Sequence, residues 1–357
     1  MKHDSRQEMK GGKINYSESA DSFSQKTVGR IKAFLFHKYT RTIVKIVIPF
    51  IILFYLFSSL NLSLIKHNML STNIPIFAIS FIFLCARNVV GAYRSKALLM
   101  YKGFPYSLAI LTKYYFIGNF FNLFLPAVVG RDIARGYYLY TSSSGKKETI
   151  SSIVVERFIG TSALVILSLF SVFLAFILGL EIFDNTVIKS ITIIFGVSVV
   201  FFSLFFNRKT HDIVETIIPS FARKKLDPAV KFIQDIFSYN RAPGILFSTL
   251  ISSILFQIIG VLSTYLIAVS LGSVQPCLYF FILLPVIWLA GLLPVSINGL
   301  GIREGSFVFL FRSTGMSEEM AMTIGLLWSI QTIGLGLIGG LLFTLGKKNN
   351  LKVIQSN

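Results

Sequence analysis

Asn122-Leu123-Phe124-Leu125-Pro126-Ala127-Val128-Val129-Gly130-Arg131-Asp132-Ile133-Ala134-Arg135 closes one long apolar run, and Leu293-Pro294-Val295-Ser296-Ile297-Asn298-Gly299-Leu300-Gly301-Ile302-Arg303-Glu304-Gly305 closes another. Each places a proline, which lacks an amide hydrogen, and glycines, which permit a sharp turn, where the surrounding hydropathy calls for a membrane helix. Backbone polar groups freed inside a bilayer are tolerable only against protein or a water-filled cavity. Each run therefore reads as a re-entrant hairpin, broken at its Pro and opening into a short charged helix.

The rest of the chain fits a membrane protein. It has 357 residues, 54% of them hydrophobic and 14% charged, with 35 Phe and 14 Tyr and a mean hydropathy of +0.70. That balance excludes a water-soluble enzyme. At about 20 residues per span there is room for about six to eight spans. Apolar runs fall at 42–60, 74–92, 107–129, 150–180, 187–206, 244–272, 277–293 and 320–346. The formal charge of +18 concentrates in tails and loops, where it suits anionic lipid rather than nucleic acid. Cys85 and Cys277 lie in apolar runs and make no disulfide framework. His3, His37, His67 and His211 are scattered and make no metal site.

Positive charge in short loops sets orientation. Eight simple spans divide the Lys and Arg fifteen against fourteen, with no bias. Letting the third and seventh runs return to the side they entered from divides them 26 against 3. The expected fold is thus an all-α polytopic membrane protein of six spanning helices and two re-entrant helical hairpins. Both termini face the cytoplasm, across the cytoplasmic membrane. Residues 1–41 read as a basic tail, 42–346 as the membrane domain and 347–357 as a second tail. The halves, 42–180 and 187–346, repeat with inverted polarity: Leu125-Pro126 and Leu293-Pro294 each precede an Arg by nine residues from the Pro, Arg135 and Arg303. Between 207 and 243, Ile213, Ile217, Phe221, Phe232, Ile236 and their neighbours recur at helical spacing, as in interfacial helices on a bilayer.

The hairpin tips carry the candidate chemistry. The pattern N-x-x-x-P-x-x-x-G-x-D-x-x-R covers Asn122, Pro126, Gly130, Asp132 and Arg135, with Arg131 and Arg135 on one helical face. The second tip offers Ser296, Asn298 and an adjacent Arg303 and Glu304. A helix start at such a tip is an anion site. An intramembrane Arg costs about 2.5 to 3.5 kcal/mol and marks a pathway or a structural ion pair, here Arg135 with Asp132 and Arg303 with Glu304. Glu156 and Arg157 are adjacent, so they point about 100° apart and call for partners elsewhere, on a hairpin tip. Gly336 and Gly340 form a G-x-x-x-G packing motif.

Both tips, with Val155-Glu156-Arg157-Phe158-Ile159-Gly160, resemble the lysylphosphatidylglycerol synthase transmembrane-region family of flippase-like membrane proteins, over roughly residues 35–345. P-x-S-x-x-G-x-G-x-R-E-G, Pro294 to Gly305, is the most specific part. The resemblance implies an integral membrane protein without enzymatic motifs, concerned with moving anionic or aminoacylated lipid between leaflets. No aminoacyl-transferase domain follows within these residues, so lipid aminoacylation is not implied. Arg131 departs from the pattern, standing where the family often has a small residue.

The sequence carries no H-E-x-x-H, G-x-S-x-G, Walker A or D-x-D motif, so neither an enzyme nor an ATP-driven pump is expected, and no cofactor or metal. The expected function is translocation of an anionic or phosphate-bearing lipid: a phospholipid, aminoacyl-phospholipid or polyprenyl phosphate. Arg135 and Arg303 would grip the phosphate. Arg131, Asn122, Asp132, Ser296, Asn298, Glu304, Glu156 and Arg157 would line the site, and Pro126, Gly130, Pro294, Gly299 and Gly301 would shape the broken helices. The alternative is a non-transporting subunit that presents lipid to a glycosyltransferase or other lipid-modifying enzyme. The topology is tested with Ser143→Cys and Asn185→Cys in a background lacking Cys85 and Cys277. An impermeant thiol reagent on intact cells should label position 185 and not 143; the reverse pattern would remove the hairpins.

Overall fold

The computed structural model describes residues 51, 54–125, 130–142, 146–180, 183, 185–186, 188–189, 192–197, 232–292 and 301–355; of 142, 146, 147 and 346–355 only the backbone is described. Every regular element among them is helical: α1 Leu62–Leu70, α2 Ile74–Tyr101, α3 Leu108–Phe124, α4 Gly130–Ser142, α5 Lys146–Ile177, a 3-10 turn Ser238–Arg241, α6 Pro243–Ser270, α7 Cys277–Gly291, α8 Ile302–Arg312 and α9 Glu318–Gln355. Four of these, within α2, α5, α6 and α9, are long and apolar enough to cross a membrane.

Polar caps set the starts. Asn73 Oδ1 accepts the Ile76 amide, with Pro75 in the first turn of α2, and Ser107 Oγ accepts the Ile110 amide at the start of α3. At the start of α8, Gly301 adopts φ +80°, a conformation that disfavours any side chain. Pro285 inside α7 cannot donate to the Phe281 carbonyl. Ser171 Oγ of α5 donates to that carbonyl instead, at 3.2 Å, so the break in α7 is satisfied by a neighbouring helix.

Short helices occur in two hairpin-like pairs. α3 and α4 run antiparallel: the Tyr114 and Tyr138 rings stack 5.1 Å apart, and Gly118 abuts Arg131 while Gly130 abuts Asn122. α7 and α8 meet through Phe280 and Phe311, ring centroids 4.8 Å apart. At 13 and 11 residues, α4 and α8 are about 20 and 16 Å long, well short of a bilayer core of about 30 Å. Two seams join the halves of the chain. α2 lies along α6, where Ser263 Oγ donates to Ser80 O at 2.8 Å. α3 lies along α9, where Gly336, Gly339 and Gly340 face Leu123, Phe116 and Phe120. The expected G-x-x-x-G face is therefore a packing face, and Gly339 makes its closest approach.

The structure departs from the sequence reading at three places. The second run does not end at 92: α2 continues to Tyr101, because Arg94, taken as a loop charge, is buried against an acid of α5 (below). The expected outer loop 61–73 contains α1, whose Ile65 is buried. In the stretch 207–243, the described end turns inward: Ile236 and Tyr239 are buried in a cluster with Leu98, Val155 and Ile159, and Lys102 Nζ pairs with Asp235 and donates to Ser238 Oγ at 2.8 Å. Burial pushes the Tyr239 phenol above its ordinary range. Of the runs 42–60 and 187–206, the described parts 54–59 and 192–197 are helical. Residues 213–221, with Pro126, Pro294, Ser296, Asn298 and Gly299, lie outside the described residues, and α9 continues helical to Gln355 through the expected C-terminal tail.

A Cβ at Gly339 would lie 1.9 Å from the Phe116 carbonyl oxygen, whereas one at Gly334 would meet only Phe81, at 3.4 Å. Gly339→Ala should cost about 1 to 3 kcal/mol or more through backbone displacement. Gly334→Ala should be neutral or gain up to about 1 kcal/mol from helix propensity. Thermal unfolding of the two variants in detergent should separate them by several degrees, with Gly339→Ala below wild type.

Candidate functional site

At the centre of the molecule one carboxylate collects donors from three other elements. Glu156 of α5 is 2% exposed. Arg94 Nη2 of α2 reaches its Oε1 at 2.7 Å, and Arg135 Nη2 of α4 reaches its Oε2 at 2.5 Å, with Nη1 at 3.3 Å from Oε1. Ser95 Oγ donates to Oε2 at 2.8 Å, and the Tyr115 hydroxyl of α3 donates to Oε1. Arg94 Nη1 extends the network to Ser253 of α6 at 3.1 Å, and the Arg135 guanidinium lies 3.9 Å above the Tyr115 ring. Two small residues make this possible: a Cβ at Gly91 would fall 2.5 Å from the Tyr115 ring, and one at Gly160 would fall 3.0 Å from Arg94 Nη1. A carboxylate in such surroundings is stable only when paired and fully hydrogen-bonded, and here it is both.

Arg157, one residue on, points elsewhere and pairs with Asp132 of α4. The adjacent Glu156 and Arg157 thus find separate partners, both on α4. Arg135 lies 3.4 Å from Asp132, so Glu156, not Asp132, is its principal partner. Across the molecule Arg303 Nη2 pairs with Glu304 Oε1 at 2.6 Å and donates to Ser329 Oγ at 2.6 Å, beneath the Trp328 ring at 4.1 Å. Glu304 Oε2 accepts the Gly301 amide at 2.6 Å. The anion site expected at this helix start is therefore filled by the protein's own carboxylate, which satisfies the free amide and the helix dipole together.

Two adjoining cavities of about 150 and 160 Å³ lie between these clusters and share Arg87, Arg131, Phe256, Trp288 and Leu292. Arg303, Asn122, Asn88, Asn119 and Trp328 line the first; Arg94, Arg135, Glu156, Asp132 and Arg157 line the second. Arg135 and Arg303 do not share a cavity; Arg131, between them, belongs to both. Six arginines, 87, 94, 131, 135, 157 and 303, thus face or flank the space. The carboxylates paired with them are Asp132, Glu156 and Glu304, which leaves an excess of three positive charges. Arg131 makes no ion pair with any described residue. Arg87 donates to the Phe256 carbonyl at 3.2 Å and to Gln257 Oε1 at 3.1 Å and lies against the Phe256 and Trp288 rings, with no carboxylate partner among the described residues. The indole nitrogens of Trp288 and Trp328 are buried with no hydrogen-bond acceptor among the described residues.

Of the residues singled out by sequence, Arg131, Asn122, Asp132, Arg135, Glu156, Arg157 and Arg303 come together around this space. Glu304 supports Arg303 from behind, and Gly130 and Gly301 open α4 and α8. The sequence reading missed Arg87, Arg94, Tyr115, Trp288 and Gln257. Arg87 had a signal: it is the one charged residue between Ile74 and Ala92.

Removing one partner of a buried ion pair costs about 3 to 5 kcal/mol, because the other charge is left uncompensated. Glu156→Ala should therefore collapse the yield of monodisperse protein in size-exclusion chromatography, and Glu156→Gln should recover only part of it. Arg131→Ala, which breaks no ion pair with a described residue, should leave the yield near that of wild type.

No curated protein and no solved structure matches the chain. Its residues 42–340 match the family described as Lysylphosphatidylglycerol synthase TM region. That span takes in both short-helix pairs, the Glu156 network and the arginine-lined cavities, and the chain is a member of the Lysylphosphatidylglycerol synthase TM region family.

Proposed function

We propose that this protein moves a lipid with an anionic, phosphate-bearing head group between the leaflets of the cytoplasmic membrane. The reading rests on one observation: a central cavity in which guanidinium groups outnumber carboxylates by three, with Arg87 and Arg131 lacking a carboxylate partner among the described residues. An uncompensated arginine in a low-dielectric interior is costly, and a bound phosphate removes that cost through charge-assisted, two-point hydrogen bonds. The indole N–H groups of Trp288 and Trp328 add neutral donors. Arg135, whose terminal nitrogens are engaged by Glu156, holds the scaffold; Arg131, Arg87 and Arg303 are the residues placed to receive the ligand. Six spans with two re-entrant hairpins and cytoplasmic termini complete this reading, with the α3–α4 and α7–α8 pairs as the hairpins.

Transport of fluorescent phospholipid or polyprenyl phosphate by purified protein in liposomes tests it. A hydrogen bond to a charged group contributes about 1.5 to 3 kcal/mol, so Arg131→Ala or Arg87→Ala should slow movement roughly ten- to a hundredfold with normal accumulation. Arg131→Lys should restore only part, since it keeps the charge and loses the planar fork. Lipid that binds with arginine dependence but is never moved would assign the protein to lipid presentation for a partner enzyme instead.

A further inference from the structure

A third cavity, of about 430 Å³, opens between α4 and α5. Its walls are Ile133, Tyr137 and Tyr140 of α4 and Ile150 and Val154 of α5, all exposed, and its surface is almost wholly apolar. Gly136 forms part of its floor: a Cβ there would meet only Ile153 Cδ1, at 3.5 Å. The charged residues that line it, among the described ones, are Asp132 and Arg157, the ion-paired couple that also lines the second arginine-rich cavity. The Arg157 side chain is 36% exposed, against 3% for Arg135. A half-buried ion pair thus stands between an apolar crevice and the charged interior.

We infer that the α4–α5 crevice holds a hydrocarbon chain of the lipid whose head group occupies the arginine-lined cavity, and that the Asp132–Arg157 pair is the threshold the head group crosses. The inference rests on the function proposed above and adds to it the side from which the lipid arrives. Three observations favour a chain as occupant. The crevice walls are the lipid-like part of an otherwise charged helix, since α4 alternates Arg131, Asp132 and Arg135 with Ile133, Tyr137 and Tyr140. The crevice adjoins the head-group cavity at two residues that line both, Asp132 and Arg157, so one amphiphile can occupy both across that pair. A free phosphate would need no such crevice. A chain passing from bilayer to crevice leaves one apolar medium for another, so the crevice supplies alignment and the guanidiniums supply affinity. As the phosphate passes, Arg157 can turn from the Asp132 carboxylate to the phosphate while Asp132 keeps Arg135 Nη1, 3.4 Å away, as its cation.

The experiment uses the full chain in phosphatidylcholine nanodiscs and a hexadecyl phosphate bearing a diazirine at mid-chain. Photolabelling followed by peptide mass spectrometry should concentrate on residues 133–154. Gly136→Trp, which fills the crevice, should lower that labelling roughly tenfold, and Val154→Trp should do the same should the first variant fold poorly. The equivalent diazirine-bearing hexadecanol, lacking the phosphate, should label these residues no more than other lipid-facing helices. Labelling spread evenly over α2, α6 and α9, unchanged by either Trp substitution, would overturn the inference, as would equal crevice labelling by the alcohol. The two native tryptophans, Trp288 and Trp328, both line the head-group cavity, so their fluorescence gives a separate readout in wild-type protein. A response to butyl phosphate with no crevice labelling overturns the crevice alone; no response to any phosphate overturns the head-group reading and the crevice with it.

Discussion

The Glu156 carboxylate is the constraint on which the interior depends. Bringing α2, α3, α4 and α5 together at this level places two arginines in low dielectric, and a single acid, with Ser95 and Tyr115 completing its hydrogen bonds, makes that arrangement stable. The requirement propagates outward. α2 must remain helical through Arg94, Gly91 and Gly160 must be small, and α4 must lie close enough to α5 for Arg135 to reach across. The apolar helices supply insertion into the bilayer, but their mutual orientation follows from this polar knot, because packing among apolar faces in lipid carries no hydrophobic driving force of its own.

The same knot bears on how an arginine-rich cavity is built into the interior. Four of the six arginines, 94, 135, 157 and 303, are held against acids, and two lie against aromatic rings: Arg87 on Phe256 and Trp288, and Arg303, already paired with Glu304, on Trp328. Ring faces and carbonyl oxygens offset part of the cost of a buried cation without neutralising it. The surplus charge is thereby accommodated while the protein remains folded.

Much of this was legible in the sequence, and the limits have physical causes. Membrane class, the short helices that open at Gly130 and Gly301, the placing of Arg135 and Arg303 beside the interior cavities and the separate partners of Glu156 and Arg157 followed from hydropathy, Pro and Gly placement and the angular step of a helix. Arg94 did not, because an Arg three residues beyond Gly91 looks like a loop start until its buried acid is known, and that acid is 62 residues away in the chain. Tyr115, Trp288 and Gln257 are invisible for the same reason: aromatic and amide residues are common in membrane helices, and only the tertiary contact tells a ligand-facing one from a packing one. The anion site read at the start of α8 is a different failure, since an acid three residues into a helix can occupy the dipole itself, as Glu304 does.

The two seams between the halves bear on how any motion must be organised. α2 of the first half is bound along α6 of the second, and α3 is pressed against α9 with backbone nearly touching backbone at Gly339 and Phe116. Transporters built from inverted repeats commonly rock one repeat against the other as rigid bodies. Here the two halves of the chain are interlocked, each supplying a strut to the other. α2, α3, α6 and α9 are thereby tied into one frame across the halves, whereas α4 is held to α5 by the Arg135–Glu156 and Arg157–Asp132 pairs and α8 to α9 through Ser329, so in the lipid transfer proposed above any opening of the interior falls to α4 and α8.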